Sequence, residues 1–511
     1  MASEHDNNKR IAKNTLVLYF RMLFSMIVGL FTSRVILNSL GVEDYGIYNV
    51  VGGVVATFAI VSGSLSASVS RYITYELGTG NTGELKKVFS SAVTIQFFLV
   101  LVIFLIAETV GLWFLNTQML IPEHRLHAAN WVYQFSFITF AINLISIPYN
   151  AAIISHEKMT AFAYISFVDV IGKLVIAYGV YVSPVDSLIF YAIMMTTLSA
   201  VLRGLYGWYC KKNFEECRYF FVFDKDLLKK MFGFAGWNFI GASSSILRDQ
   251  GGNLLINMFF GPTVNAARGI AMHVNSAVLA FVNNFQTALN PQITKKYASG
   301  DRDYMMSLIF EGAKLSFYIM LILSLPIIIT TPYLLKLWLG IVPDHTANFV
   351  RLVLIFSLSE TLAGPLVTAM LATGNIRNYQ IIVGGIQMMN LPISYIFLKL
   401  GYFPEVVLVV AIVVSVCCEM ARLCLLSSMI GLPARSFLIK VYLNVILIAI
   451  LSSIVPVLLN HYLSNDFGSF LLTAILSLLL TCSVIYAVGL NKNERIKFLQ
   501  FISSLKKRIF K

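Results

Sequence analysis

The sequence predicts an all-α, polytopic membrane protein: about fourteen transmembrane helices, set out as two pseudo-symmetric six-helix lobes plus two C-terminal helices. Three observations predict this. Of the 511 residues, 58% are hydrophobic and 12% charged, a balance no soluble globular domain needs. Apolar runs of about 20 residues recur, matching a bilayer core of ~30 Å, and short strands of alternating polarity are not seen. The second half also repeats the spacing of the first.

The apolar runs place spans at 14–38, 46–69, 88–114, 128–148, 160–182, 187–209, 232–258, 262–290, 307–331, 347–370, 378–398, 405–428, 437–459 and 467–488. The polar lead with Lys9, Arg10 and Lys13 runs straight into a full-length span, which is expected to act as its own insertion signal without a cleavable leader. With this lead in the cytoplasm, most Lys and Arg fall in inside loops and tails. Only Arg125, Lys336 and Lys399 fall in outside loops. The positive-inside rule therefore puts both termini in the cytoplasm, in a multi-pass protein of the inner (cytoplasmic) membrane. The net charge of +13 follows from that one-sided placement, so nucleic acid is not expected as a partner. Outside loops are short, the longest about fifteen residues, within the usual range for compact connections. No soluble domain is predicted.

Residues 1–209 form the predicted N-lobe, 210–231 a cytoplasmic linker with an aromatic run at 219–223, and 232–428 the C-lobe. Residues 429–490 carry the last two spans. The tail 491–511 places Phe498, Phe501, Ile502, Leu505 and Ile509 on one helical face and Lys497, Lys507, Arg508 and Lys511 opposite, as a helix lying on an anionic leaflet would. The lobes look duplicated. NSLGVEDYGIYNVVGG (38–53) lies over MFFGPTVNAARGIAMH (258–273), with Gly41 on Gly261. In the same ungapped register, Ile73, Thr74 and Gly80 fall on Ile293, Thr294 and Gly300. An offset of six spans relates the halves about an axis along the membrane normal.

The chemistry concentrates at 237–291, read as two spans joined by a turn at Gly261-Pro262. On the second, Asn265, Arg268, Asn275, Ser276, Asn283, Gln286 and Asn290 fall within roughly a third of the circumference. Lipid does not tolerate such a stripe, so it faces protein or a wet cavity. On the first, Arg248 lies about 15 Å from the helix end at 1.5 Å per residue, too deep for easy snorkelling. Asp249 is adjacent, but neighbours on a helix are not expected to face each other. Gly251-Gly252-Asn253 predicts a bend. Arg21, Arg248 and Arg268 together would hold a phosphate or pyrophosphate through forked, charge-assisted hydrogen bonds. A buried structural pair is the other reading. Asn275, Asn283, Gln286 and Asn290 are the candidates for contacts to sugar hydroxyls.

Other intramembrane charges have blander readings. Arg34 and Arg203 lie near span ends and can snorkel. Asp169–Lys173, Glu311–Lys314 and Glu419–Arg422 have intrahelical pair spacing. Glu360 has no basic residue three or four away and precedes Gly364-Pro365, a predicted kink. Such a carboxylate suits proton or sodium coupling, with Asp249 as a second candidate; a neutral acid bonded to a neighbouring helix is the alternative. His273 reads as packed. Cys210, Cys217, Cys417, Cys418, Cys424 and Cys482 read as packing residues, without disulfide framework or metal-ligand spacing. No catalytic residue, metal site or cofactor is expected.

The phrases NKRIAKNTLVLYFRM (8–22), SRVILNSLGVEDYGIYNVVGG (33–53), FAGWNFIG (234–241) and FFGPTVNAARGIA (259–271) resemble the bacterial O-antigen and capsule polysaccharide flippases. These are a branch of the multidrug/oligosaccharidyl-lipid/polysaccharide exporter superfamily, which is MATE-like. The resemblance covers essentially the whole chain. It implies translocation of undecaprenyl-pyrophosphate-linked oligosaccharide by alternating access with ion-coupled drive. Lipid-linked oligosaccharide, membrane lipids and other polysaccharide-assembly proteins are the partners it implies. Three alternatives stand beside it. A drug or cation antiporter would want an acidic, aromatic cavity. A polysaccharide polymerase or ligase would want a sizeable outside loop with catalytic Arg or His. A purely structural protein leaves the polar stripe unexplained.

Overall fold

In a computed structural model the chain is a succession of helices, with no strand among the described residues. The structure describes residues 4–56, 59–117, 121–222, 224–339, 342–463, 466–491 and 494–495, without the side chains of 4–9, 30, 33–34, 37, 42–43, 45–46, 49–50, 52–56, 59–61, 257, 262–263 and 265–266, Arg34 and Asn265 among them. The predicted tail helix lies almost wholly outside them.

The first half holds α1 (Glu4–Ala56), α2 (Ala59–Thr79), α3 (Thr82–Ile106), α4 (Leu112–Thr117), α5 (Leu126–Ser155), α6 (Met159–Gly179) and α7 (Ser187–Asn213). The long α8 (Lys225–Ala298) is followed by α9 (Arg302–Leu339), α10 (Thr346–Thr361), α11 (Ala363–Thr373), α12 (Arg377–Met388) and α13 (Asn390–Lys399). Last come α14 (Val406–Ile430), α15 (Ala434–Phe437), α16 (Asn444–Tyr462) and α17 (Phe467–Val484). Helix starts carry the expected chemistry. Asn81, Asp186, Asp224 and Asp466 each accept hydrogen bonds from the first free backbone N–H groups of α3, α7, α8 and α17.

Among the described residues, ten helices are long and apolar enough to cross a membrane, and α10 with α11, bent by 40°, makes an eleventh if counted as one span. The protein is multi-pass. The three other sequence-predicted spans, 46–69, 232–258 and 262–290, lie in α1, α2 and α8. The last two carry the polar stripe and the intramembrane arginines, which lower their hydropathy. The predicted kink at Gly364-Pro365 is present as the break between α10 and α11. The predicted bend at Gly251-Gly252 is not: α8 stays helical there, and its one non-helical residue is Gly261. Two adjacent glycines are tolerated because the helix is held laterally, with Gly251 against Leu391 and Gly252 against Val407.

The duplicated positions share a backbone conformation. Gly41 has φ 80, ψ 168 and Gly261 has φ 80, ψ −174. Gly80 and Gly300, also paired by the repeat, have φ 75 and φ 77. Only glycine takes such φ values without strain, which explains why these positions survive in a weak repeat.

The chain divides into two compact units, one of residues 12–239 and 294–300, the other of 1–11, 240–293 and 301–511. In the former, α5 is central, packed by α2, α3 and α7, with Phe89, Tyr133 and Phe137 fully enclosed. Arg125 bonds both Asp44 and Asp186 at 2.5 Å. Asp169 and Lys173 pair as expected at 2.8 Å. Arg203 does more than snorkel: its guanidinium lies 3.7 Å over the Tyr149 ring. At Gly78 an added Cβ would meet Ala298 Cβ and the Lys295 carbonyl at 2.7 Å, so α2 and the end of α8 touch backbone to backbone.

In the other unit α9 is central, against α10, α11, α16 and α17. Small hydroxyl residues line these contacts: Ser324, Ser452, Thr473, Ser477 and Thr481 are buried, letting helices pack closely where no hydrophobic force separates them from lipid. The outer faces of α16 and α17 expose Leu447, Ile450, Leu458, Leu471, Ile475 and Leu479. Lys314, expected to pair with Glu311, is bonded by Glu494 from beyond α17 at 2.5 Å. Glu419 and Arg422 do form the intrahelical pair. Arg351 donates to the Ile328 carbonyl at 3.1 Å. His273 is exposed rather than packed. Cys210, Cys217 and Cys418 are buried, Cys417, Cys424 and Cys482 exposed, and all are free thiols.

Candidate functional site

The intramembrane charges of α8 meet α10 and α14 within one unit. Arg248 folds back along its own helix to bond Asp249, Nε to Oδ1 at 2.9 Å and Nη2 to Oδ2 at 3.5 Å. The expectation that these neighbours do not face each other is thus corrected. Backbone directions diverge between i and i+1, but the long arginine side chain spans the difference. Its third nitrogen, Nη1, is 4.0 Å from Glu360 Oε2, and its Cζ lies 4.9 Å from the Phe356 ring centroid. Glu360 is therefore not isolated. Its basic neighbour comes from another helix, and Ser415 on α14 donates to its Oε1 at 2.5 Å.

Arg268, on the far side of the Gly261 break, returns toward the same place. Its Nη2 donates to the Asp249 backbone carbonyl at 3.0 Å and its Nη1 to Asn253 Oδ1 at 3.2 Å. Gly252 makes room, since a Cβ there would sit 3.6 Å from Arg268 Nη2. The guanidinium is buried, and its Nε is without a hydrogen-bond partner among the described residues. Arg268 has carbonyl partners for its nitrogens and shares Asp249 with Arg248 electrostatically.

The environment grades from closed to open. Arg248 has 13% of its side chain exposed, Glu360 24% and Asp249 43%. The carboxylates thus sit at the edge of open space with the guanidinium behind them. Forked cations so placed can bind an anion, and the carboxylates in front of them can bind a cation or a proton.

The remaining predicted residues separate. Arg21 belongs to the other unit, where its Nη1 is 3.5 Å from Ser166 Oγ and its Cζ is 4.8 Å from the Phe162 ring. Asn275 is buried, with an Oδ1 that has no partner among the described residues; Asn283 is exposed and Asn290 half-buried. Gln286 is committed within its unit, donating to Ser316 Oγ at 3.2 Å and to the Thr361 carbonyl at 3.3 Å. A Cβ on Gly364 would come within 2.2 Å of it. Ser415 escaped sequence reasoning because it carries no local signal; only the fold brings it to Glu360. Phe356, four residues before Glu360 on α10, was within reach of helical spacing, but its place against Arg248 was not. Asn253 was visible, as the polar residue after the Gly-Gly pair. Among the described residues no three His, Cys, Asp or Glu side chains group to hold a metal ion.

Behind this site stands a closed counterpart. Arg422 donates to Glu419 and, at 2.9 Å, to Tyr379 Oη, while Tyr442 Oη donates to Glu419 Oε2 at 2.7 Å. Side-chain exposure is 4% for Arg422 and 1% for Glu419.

Residues 11–296 match the profile of a family described as polysaccharide biosynthesis protein. No curated protein sequence matches the chain. Solved structures share its fold at low identity. A MATE transporter in the bent conformation superposes with a TM-score of 0.72 at 11% identity, covering 84% of this chain and 99% of its own. An outward-facing multidrug resistance MATE family transporter of the MOP superfamily gives 0.70 at 13%, with coverages of 84% and 99%. A MOP superfamily transporter from Pyrococcus furiosus gives 0.65 at 13% with the same coverages. The fold is MATE-like.

Proposed function

Because the chain belongs to the polysaccharide biosynthesis protein family, we propose that it is a flippase carrying an undecaprenyl-pyrophosphate-linked oligosaccharide, an O-antigen or capsule repeat unit, across the cytoplasmic membrane by alternating access. The observation that carries this reading is the meeting of Arg248 and Arg268 at Asp249, inside the membrane, with the Asp249 side chain facing open space. Two forked guanidinium groups that converge on Asp249 suit a doubly charged, oxygen-rich headgroup, once the carboxylates beside them give way. Arg21 is proposed as a third headgroup contact, and Asn275, Asn283 and Asn290 as hydrogen-bonding partners of sugar hydroxyls. Gln286 is proposed with them, on condition that it releases Ser316 and Thr361. Glu360 and Asp249 are the proposed coupling carboxylates.

The rest of the reading concerns architecture. Two six-helix lobes, 1–209 and 232–428, joined by 210–231, are supported by the like backbone at Gly41 and Gly261 and at Gly80 and Gly300. Fourteen spans are inferred from the apolar runs, and cytoplasmic termini from the distribution of Lys and Arg. The helix proposed for 491–511 would lie on the anionic leaflet.

The fold alone does not choose the cargo. The Pyrococcus furiosus transporter that shares it is described as having a binding pocket of reverse polarity that suggests a different function. A second reading, export of a drug or other organic cation, is favoured by the exposed Asp249 side chain and by the aromatic Phe356 ring against Arg248. Reconstitution separates the two. In proteoliposomes supplied with a pyrophosphate-linked oligosaccharide lipid, the wild type is expected to expose glycan to an external lectin, and Arg248→Ala and Arg268→Ala to abolish this. Undiminished lectin exposure in Arg248→Ala would remove the anion-binding reading. Uptake of an organic cation that Asp249→Asn abolishes would favour the second.

A further inference from the structure

The arginine that a headgroup needs is already occupied. Arg248 uses two nitrogens on Asp249 and turns the third toward Glu360. Counting outward, the charged groups that interact here among the described residues are Arg248 and Arg268 of α8 with Asp249, Glu360 of α10, and Glu419 and Arg422 of α14. Three guanidinium groups face three carboxylates. Tyr379 on α12, Cys418 on α14 and Tyr442 after α15 are the other titratable neighbours of Glu360. Among the described residues these charges balance, and a diphosphate entering unaccompanied brings uncompensated negative charge into the membrane interior, where that is strongly unfavourable.

Relief is available at specific atoms. Glu360 holds Ser415 through Oε1, while Oε2 stands 4.0 Å from Arg248, beyond hydrogen-bond length. That oxygen can take a proton without breaking its bond to Ser415. Asp249 is the most exposed of the charged groups here and can take one from water. A metal cation at the same oxygens would meet the Arg248 guanidinium, whereas a proton neutralises the carboxylate within its own bonds. We propose that a diphosphate and protons enter this site together: the diphosphate replaces Asp249 and Glu360 on Arg248, and the displaced carboxylates are protonated from solvent at Asp249 and at Glu360 Oε2. The inference rests on the diphosphate reading above and adds to it the order of exchange. The cargo and the coupling ion share one guanidinium, and Glu360 and Asp249 act as positioning residues that hold Arg248 until they are protonated.

The test uses purified full-length protein in nanodiscs, with farnesyl diphosphate and inorganic pyrophosphate as probes. Calorimetric titration in buffers of different ionisation enthalpy counts protons taken up per probe bound. The wild type is expected to take up about one proton or more, with affinity weakening by up to about tenfold per pH unit for each linked proton as pH rises. Glu360→Gln and Asp249→Asn should each reduce the uptake, and the double variant should retain only that of the probe itself. Arg248→Lys should weaken binding, for loss of the fork, while leaving the pH dependence in place. Probe binding with no proton uptake beyond the double variant, or binding that follows sodium instead, overturns the exchange and leaves the diphosphate reading standing. Failure of the wild type to bind either probe at any pH overturns both.

Discussion

Two arginine–glutamate arrangements lie in the same unit, and the difference between them separates scaffold from site. Arg422 and Glu419 are sealed, with Tyr379 and Tyr442 bonded to them. Arg248 and Glu360 are half-open and stand 4.0 Å apart. A buried pair whose hydrogen bonds are completed has no capacity left for a ligand and resists change, because removing either partner strands a charge. A pair left slack beside open space keeps that capacity. The two look alike as residue types, and only the completeness of their bonding tells them apart.

The largest effect expected from this contrast is at the slack pair. Arg248→Ala should lower polysaccharide export in complemented cells by about a hundredfold, since charge-assisted bonds contribute ~1.5–3 kcal/mol each. The thermal midpoint of the purified protein should barely move. Export that holds while the midpoint collapses would show Arg248 to be scaffold like Arg422. At the sealed pair the pattern should reverse. Arg422→Met should destabilise by about 3–5 kcal/mol, whereas Arg422→Met combined with Glu419→Leu should recover most of this. Folded yield and thermal unfolding of the three proteins measure it, and a double variant no better than the single would deny that the network is self-contained.

A smaller effect is expected at Gly364→Ala, whose methyl group would push Gln286 off Ser316 and Thr361. A loss of about 1–3 kcal/mol follows if the bonded α8 glutamine is part of the scaffold. Enhanced glycan binding instead would put Gln286 on the ligand side of the comparison.

The smallest effect belongs to the solvent-screened pair in the other unit. Burial alone would raise the Asp186 carboxyl, but bonds from Arg125 and from the Ile189 and Leu188 N–H groups outweigh it and hold the group below the usual range. Its contribution is present above the ordinary carboxylate range and is lost as pH falls through the lowered value. Asp186→Asn should therefore flatten the acid side of the stability profile by under about 1 kcal/mol, given the exposure of the pair. Chemical denaturation across pH checks this.

Periodicity reaches what a single helix determines. Asp169–Lys173 and Glu419–Arg422 were readable because three or four residues bring side chains onto one face. So were the Gly261 turn and the break at Gly364-Pro365. Partners contributed by other helices were not readable. Lys314 has Glu494 rather than the nearby Glu311 as its close carboxylate, and Glu360 has Arg248 and Ser415. The glycine pair 251–252 misled, since its bend is suppressed by lateral packing that no local pattern encodes. Length and composition identified a membrane protein readily, but hydropathy is least legible in α8, where the candidate site itself dilutes it.

The bond from Lys314 to Glu494 bears on how the end of the chain is handled. Lys314 is enclosed within α9, and its counter-charge arrives from beyond α17. Trimming the chain ahead of Glu494, or fusing a reporter there that draws the segment away, would strip an interior ammonium of its carboxylate. The resulting failure would resemble a defect in membrane delivery. Restoring one acidic side chain within reach, rather than the whole basic extension, would cure it.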